Sequence, residues 1–102
     1  MLVDETHINI NGTLHGGLMA TIADNVTWVA IGIALKNMRQ PRASLELSMS
    51  YLLTVKLGET IVVEAKVLKL GRSVAFAEAE FRRKSDGELV AKGKQTMVLL
   101  NK

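Results

Sequence analysis

The chain of 102 residues contains no cysteine. That excludes a disulfide framework, a thiol nucleophile and a zinc ribbon, and it allows a reducing compartment without demanding one. Two histidines are too few to suggest a metal site, and no metal or cofactor is expected. Aromatics are scarce, with one Trp, one Tyr and two Phe in a composition that is 48% hydrophobic, so the core must be aliphatic. The net charge of +3 is mild. A dedicated nucleic-acid binder usually clusters more charge on one face, whereas this balance suits a small anionic ligand. The opening MLVDETH has neither a signal-peptide nor an arginine-rich transit pattern. The expectation is a soluble, intracellular, cytoplasmic chain, with association to mitochondria as the alternative. No clean apolar run of membrane length is present, because His15 and Asp24 interrupt the longest one.

What is there begins with that run. Residues 12–35 (GTLHGGLMATIADNVTWVAIGIAL) read as one long helix entered near Gly16. From Gly16 it is apolar nearly all round, which predicts a buried helix. Asp24 stands among Met19, Ile22, Ala23, Val26 and Trp28. A buried unpaired carboxylate is costly or titrates abnormally, so it is read either as a base or as an acid paired with a lysine. Gly16 and Gly17 at the helix entrance leave orphan backbone N–H donors where positive partial charge accumulates. An oxyanion site and a plain tight turn both fit that pattern. His15 reads equally as a helix cap. Basic residues at Lys36 and Arg39 suit a helix C-terminus, and Pro41, the single proline, ends any helical reading.

Before the helix, residues 2–7 form a short extended candidate, and Asn9, Ile10, Asn11 and Gly12 mark a turn. After it the pattern is strand throughout. Residues 44–53 alternate, with Leu45, Leu47, Met49 and Tyr51 on one face and Ser44, Glu46, Ser48 and Ser50 on the other. Residues 60–70 place Ile61, Val63, Ala65 and Val67 inward. Residues 74–84 align Ala75, Ala77, Ala79 and Phe81, and residues 89–100 align Leu89, Ala91, Gly93, Gln95, Met97 and Leu99. Turns at residues 56–59, 71–73 and Asp86-Gly87 join them. Arg82, Arg83 and Lys84 read as the solvated end of a hairpin, and Trp28 as core or interface. The expectation is one α+β domain over residues 1–102. Its antiparallel meander wraps the central helix, which lies close over the small residues Ala75, Ala77, Ala79 and Gly93. A helix of that length spans ~30 Å, enough to cross four or five strands ~4.8 Å apart.

Residues 9–17 (NINGTLHGG), Asp24-Asn25, residues 44–51 (SLELSMSY), residues 56–59 (KLGE) and residues 67–76 (VLKLGRSVAF) together carry a family likeness. The chain resembles the hotdog-fold thioesterases over essentially its whole length, closest to their acyl-CoA branch and also similar to bacterial phenylacetyl-CoA thioesterases. Against that family the chain begins inside the first strand, without the preceding N-terminal segment. The resemblance implies a thioester hydrolase of fatty acid metabolism that cleaves acyl-CoA to free acid and CoA. It implies Asp24 as activator of the attacking water and the Gly16 N–H as oxyanion donor. It further implies that Asn9 and His15 position substrate or water and that Ser44 orients the water. Tyr51, Lys56, Lys69, Gly71, Arg72, Ser73 and Val74 would lie along CoA, where Lys56, Lys69 and Arg72 could meet its phosphates. Without the resemblance, Ser44 reads as a polar strand residue and Asn9 as turn chemistry. A non-catalytic acyl-CoA binding or regulatory domain and a dehydratase of acyl thioesters are the alternatives.

Spacing adds one constraint. Gly16 and Asp24 are separated by about 12 Å of helix rise and about 80° of rotation, so one chain cannot easily bring both to one carbonyl. Sites at a two-fold dimer interface are therefore expected. The family implies side-by-side pairing into one continuous sheet, with dimers pairing again as tetramers.

Overall fold

The computed structural model describes residues 1–9 and 12–100. Ile10 and Asn11 of the expected turn therefore lie outside the described residues. One helix, α1 (Gly16–Leu35), packs on a four-stranded antiparallel sheet of β1 (Arg42–Tyr51), β2 (Ile61–Leu70), β3 (Val74–Arg83) and β4 (Leu89–Leu99). The extended candidate at the start is not a strand. It holds one bridge, Leu2 to Thr60, and then a 3-10 turn at Glu5–His7. Asp4 caps that turn by accepting the Thr6 N–H at 2.8 Å, local chemistry that competes with extended pairing.

Strand order is β1-β4-β3-β2, so only the last three strands form a meander. β1 pairs with β4, and residues 52–60 carry the chain past the ends of β4 and β3 to β2. Three strand spacings are about 14 Å, which residues 52–60 span with ease. Main-chain bonds pin this crossing: Leu52 N donates to Val90 O at 2.9 Å and Leu14 N to Val55 O at 2.7 Å. Arg83, expected to be solvated, anchors it too, through Glu59 at 3.0 Å and the Thr54 carbonyl at 3.0 Å.

The sheet covers one side of α1. Met19, Ala23, Thr27, Ile31 and Gly32 are buried, whereas Trp28, Val29 and Ile33 are exposed. By length and composition alone this helix could pass for a membrane span, with a mean hydropathy of 1.6. Its packing explains the composition on the covered side only. The small inner row is as expected: Ala75, Ala77 and Ala79 are buried, and Ala23 lies over Gly93. A Cβ at Gly93 would stand 3.1 Å from Ala23 Cβ and 2.8 Å from the Met49 sulfur, so glycine sets the helix-to-sheet distance there. The core has two parts. One, around Met19, Ala23, Val55 and Phe81, lies under the first half of α1; the other, around Ile31, Ala75, Ala77 and Met97, lies under its second half. On the opposite sheet face, Glu78 is buried between Lys92 at 3.0 Å and Lys66 at 3.4 Å. Hydrogen bonding to Lys92 leads in holding its carboxyl below the ordinary glutamate range.

The expected alternation of β1 fails at one point. Pairing slips between Ser44 and Glu46, so Leu45 is the extra residue of a β-bulge and is 66% exposed. The bulge reverses facing on its N-terminal side. Arg42 and Ser44 thereby share the helix-facing side with Leu47, Met49 and Tyr51. A second slip, between Val67 and Lys69, makes Leu68 the extra residue of β2.

Candidate active site

Asp24 follows Ala23, the residue pressed on the sheet, and so sits at the flank of α1 that looks onto β1. It is neither fully buried nor alone, and among the described residues it pairs with no lysine. The Ser44 hydroxyl donates to Asp24 Oδ1 at 2.7 Å. Gln95 Nε2 donates to the same oxygen at 2.5 Å and to Ser44 Oγ at 3.2 Å. Among the described residues no donor meets Asp24 Oδ2. Beside this triad opens a cleft of about 260 Å³ lined by Ala20, Thr21, Asp24, Ser44 and Leu47. The result is a carboxylate with one oxygen anchored and the other available to a water.

The β1 bulge builds this contact. Strict alternation would have aimed Ser44 away from the helix. Gln95 is the residue that sequence reasoning missed. It appeared in the inner row of β4 but was not singled out. Its signal was being the one amide in a row otherwise apolar or glycine. Arg42 was missed as well. It is buried, stacks 3.6 Å from the Trp28 ring centroid, and donates to the carbonyls of Trp28 at 2.9 Å and Gln40 at 2.7 Å. Burial draws its pKa below the free guanidinium value, but arginine starts so high that it stays charged.

The helix entrance gathers a second group. His15 is the N-cap of α1, its Nδ1 accepting the Leu18 N–H at 3.3 Å. With Nδ1 accepting, Nε2 is the ring nitrogen that carries a hydrogen. Gly16 and Gly17 are the first two helical residues, so their N–H groups have no intrahelical acceptor. The Tyr51 hydroxyl donates to the Gly16 carbonyl at 2.7 Å, and a Cβ at Gly16 would lie 3.3 Å from the Tyr51 ring. Asn9 Oδ1 accepts from Thr13 N at 3.3 Å and Thr13 Oγ1 at 3.2 Å, closing the loop before the helix.

The thioesterase superfamily profile matches residues 11–90. The chain belongs to the thioesterase superfamily. Human acyl-coenzyme A thioesterase 13 is 41% identical over 101 residues, covering 99% of this chain and 71% of the human one. A Caenorhabditis elegans protein that carries an esterase name is 50% identical over 100 residues, covering 98% of this chain. The chain spans only 58% of that relative's length. The crystal structure of zebrafish thioesterase superfamily member 2 superposes with a TM-score of 0.90 at 40% identity, covering 98% of this chain and 71% of that one. The fold of this thioesterase-superfamily chain is accordingly the hotdog fold.

The superfamily chain divides its candidate residues between two ends. Tyr51 and Lys56 lie at the end with Gly16, where Thr13 bridges to Lys56. Lys69, Gly71, Arg72, Ser73 and Val74 lie at the β2–β3 hairpin, at the other end. There Ser73 O accepts from Leu99 N, and Leu99 pairs with Arg42. Ten-residue strands separate the two groups by about 30 Å. A single chain does not bring them together.

Proposed function

We propose that this chain hydrolyses acyl-CoA thioesters to the free acid and CoA. The observation that carries this reading is the Asp24 carboxylate, which lines the cleft with Oδ1 anchored and, among the described residues, no donor on Oδ2. A water held at Oδ2 attacks the thioester carbonyl carbon as its proton passes to Asp24. The carbonyl oxygen becomes an oxyanion. Backbone N–H groups at a helix N-terminus, Gly16 first, are suited to receive it. The oxyanion collapses, the carbon–sulfur bond breaks, and the departing thiolate takes the proton back. His15 Nε2–H and Asn9 are the donors near that N-terminus for substrate or water. The names of the relatives support the substrate class.

The division of residues between two ends leads to a second part of the proposal. β1 is an edge strand, and among the described residues its outer side pairs with nothing. A two-fold axis pairing β1 with a second β1, antiparallel, sets the Tyr51 end of one protomer beside the Arg42 end of the other. Gly16, His15, Tyr51 and Lys56 of one protomer then approach Asp24, Ser44 and the Lys69–Val74 hairpin of its partner. Each dimer holds two such sites. Lys56, Lys69 and Arg72 supply cations for the CoA phosphates. Pairing of dimers into tetramers, a cytoplasmic setting and a place in fatty acid metabolism are proposed with it, on the family resemblance.

The test is thiol release from a panel of acyl-CoAs, short to long and phenylacetyl, by wild type and Asp24→Ala. The expected result is turnover by wild type and a loss of about 100-fold or more in kcat for Asp24→Ala, the scale of a general base. No turnover by a folded wild type that binds a non-hydrolysable acyl-CoA analogue in calorimetry would replace this reading with the binding domain.

A further inference from the structure

Gln95 is 1% exposed, among the most buried polar side chains of the described residues. It pairs across β4 with Leu47 of β1 and Ala77 of β3. The small Ala77 and the neighbouring Gly93 leave its side chain room beneath α1. A carboxylate can only accept, so the amide nitrogen must face Asp24. Its two hydrogens are both used, one on Asp24 Oδ1 and one on Ser44 Oγ. Its oxygen, Oε1, is buried and has no hydrogen-bond partner among the described residues.

That imbalance is informative. An amide kept in a core for stability should have both ends satisfied, because an unpaired buried acceptor is a net cost. A methionine of similar length would fill the site without it. The half of Gln95 that is satisfied points entirely at the candidate base and its serine.

We propose that Gln95 is a positioning residue of the thioesterase site, holding the Asp24 carboxylate so that Oδ2 faces the attacking water. The inference rests on the hydrolase reading above. Ser44 alone meets Oδ1 from the β1 side and leaves the carboxylate free to swing about that contact. The second donor, from β4, fixes the carboxylate plane. Fixed orientation matters because small misplacements of a reacting group are costly in rate.

The test compares wild type with Gln95→Met, which keeps length and removes the donors, and Gln95→His, which restores an N–H. Acyl-CoA turnover and thermal unfolding are measured on each. Gln95→Met should lower kcat about 10- to 100-fold with KM within about twofold of wild type. Its Tm should be equal to or above wild type, and Gln95→His should recover much of the lost kcat. An unchanged kcat in Gln95→Met, with active wild type, would overturn the positioning role and leave the hydrolase standing. A fall in kcat accompanied by a Tm drop of more than about 5 °C, without rescue by His, would overturn it in favour of a structural role. Absence of turnover in wild type would overturn the hydrolase and the positioning role together.

Discussion

At the scale of the residue, the site is a matter of which atoms of one carboxylate are occupied. Ser44 and Gln95 both converge on Oδ1 of Asp24, from neighbouring strands. Removing the Ser44 hydroxyl leaves the buried amide of Gln95 as the sole donor to that oxygen. Such a bond to a charged acceptor contributes roughly 1.5–3 kcal/mol, and only part of it acts on the orientation of the base. Ser44→Ala should therefore lower kcat about tenfold while the chain stays folded, since Ser44 is exposed. Steady-state kinetics beside circular dichroism would check this; a kcat equal to wild type would detach Ser44 from the chemistry. Asp24 itself was legible in the sequence because an acid in an apolar helix is conspicuous. Of its hydrogen-bond partners, Ser44 was reached only through the family resemblance and Gln95 was not reached at all, because they come from positions 20 and 71 residues away.

At the scale of the element, period-two patterning carried most of the fold. The inner rows of β2 and β3 face the helix as their alternation predicts, because each covers a single buried surface with side chains of matched size. What patterning could not show is a one-residue slip. The sequence of β1 alternates without a flaw, yet Leu45 is extruded and Ser44 turns inward. The force responsible is tertiary: Arg42 satisfies the Trp28 carbonyl of α1 and stacks on the Trp28 ring, and Ser44 meets Asp24. The short first strand failed for the opposite reason, since Asp4 and His7 close a local turn that outcompetes pairing. Between α1 and β4 the spacing is fixed by Gly93. Gly93→Ala would press a methyl on Ala23 and on the Met49 sulfur. Overpacking of this kind costs about 1–3 kcal/mol. Urea unfolding should show a lower midpoint with an unchanged slope, and kcat should fall as well because Asp24 rides on the same helical turn as Ala23. Full stability in Gly93→Ala would mean that α1 can lift from the sheet freely.

At the scale of the whole molecule, the proposed pairing turns on what a single chain leaves open. One side of α1 exposes Trp28, Val29 and Ile33, and the β1 edge carries exposed Leu45. An unpaired apolar edge is a liability in an isolated chain, and at this size a single core buries a modest fraction of its surface. Pairing of β1 with β1 would answer both and would bring the two ends of the site together. The consequence can be tested with two inactive chains. Gly16→Pro removes the N–H at the first helical position, where proline is otherwise tolerated, and Asp24→Ala removes the proposed base. Each homodimer has two dead sites. A mixed dimer has one site with both defects and one with neither. After subunit exchange, verified by differently tagged chains that co-purify, an equimolar mixture holds half its dimers as heterodimers by random pairing, each with one intact site. The mixture should therefore regain about a quarter of wild-type activity. If exchange is proven and activity stays at the level of the parents, Gly16 and Asp24 act within one chain, and the shared site must be abandoned even if the dimer exists.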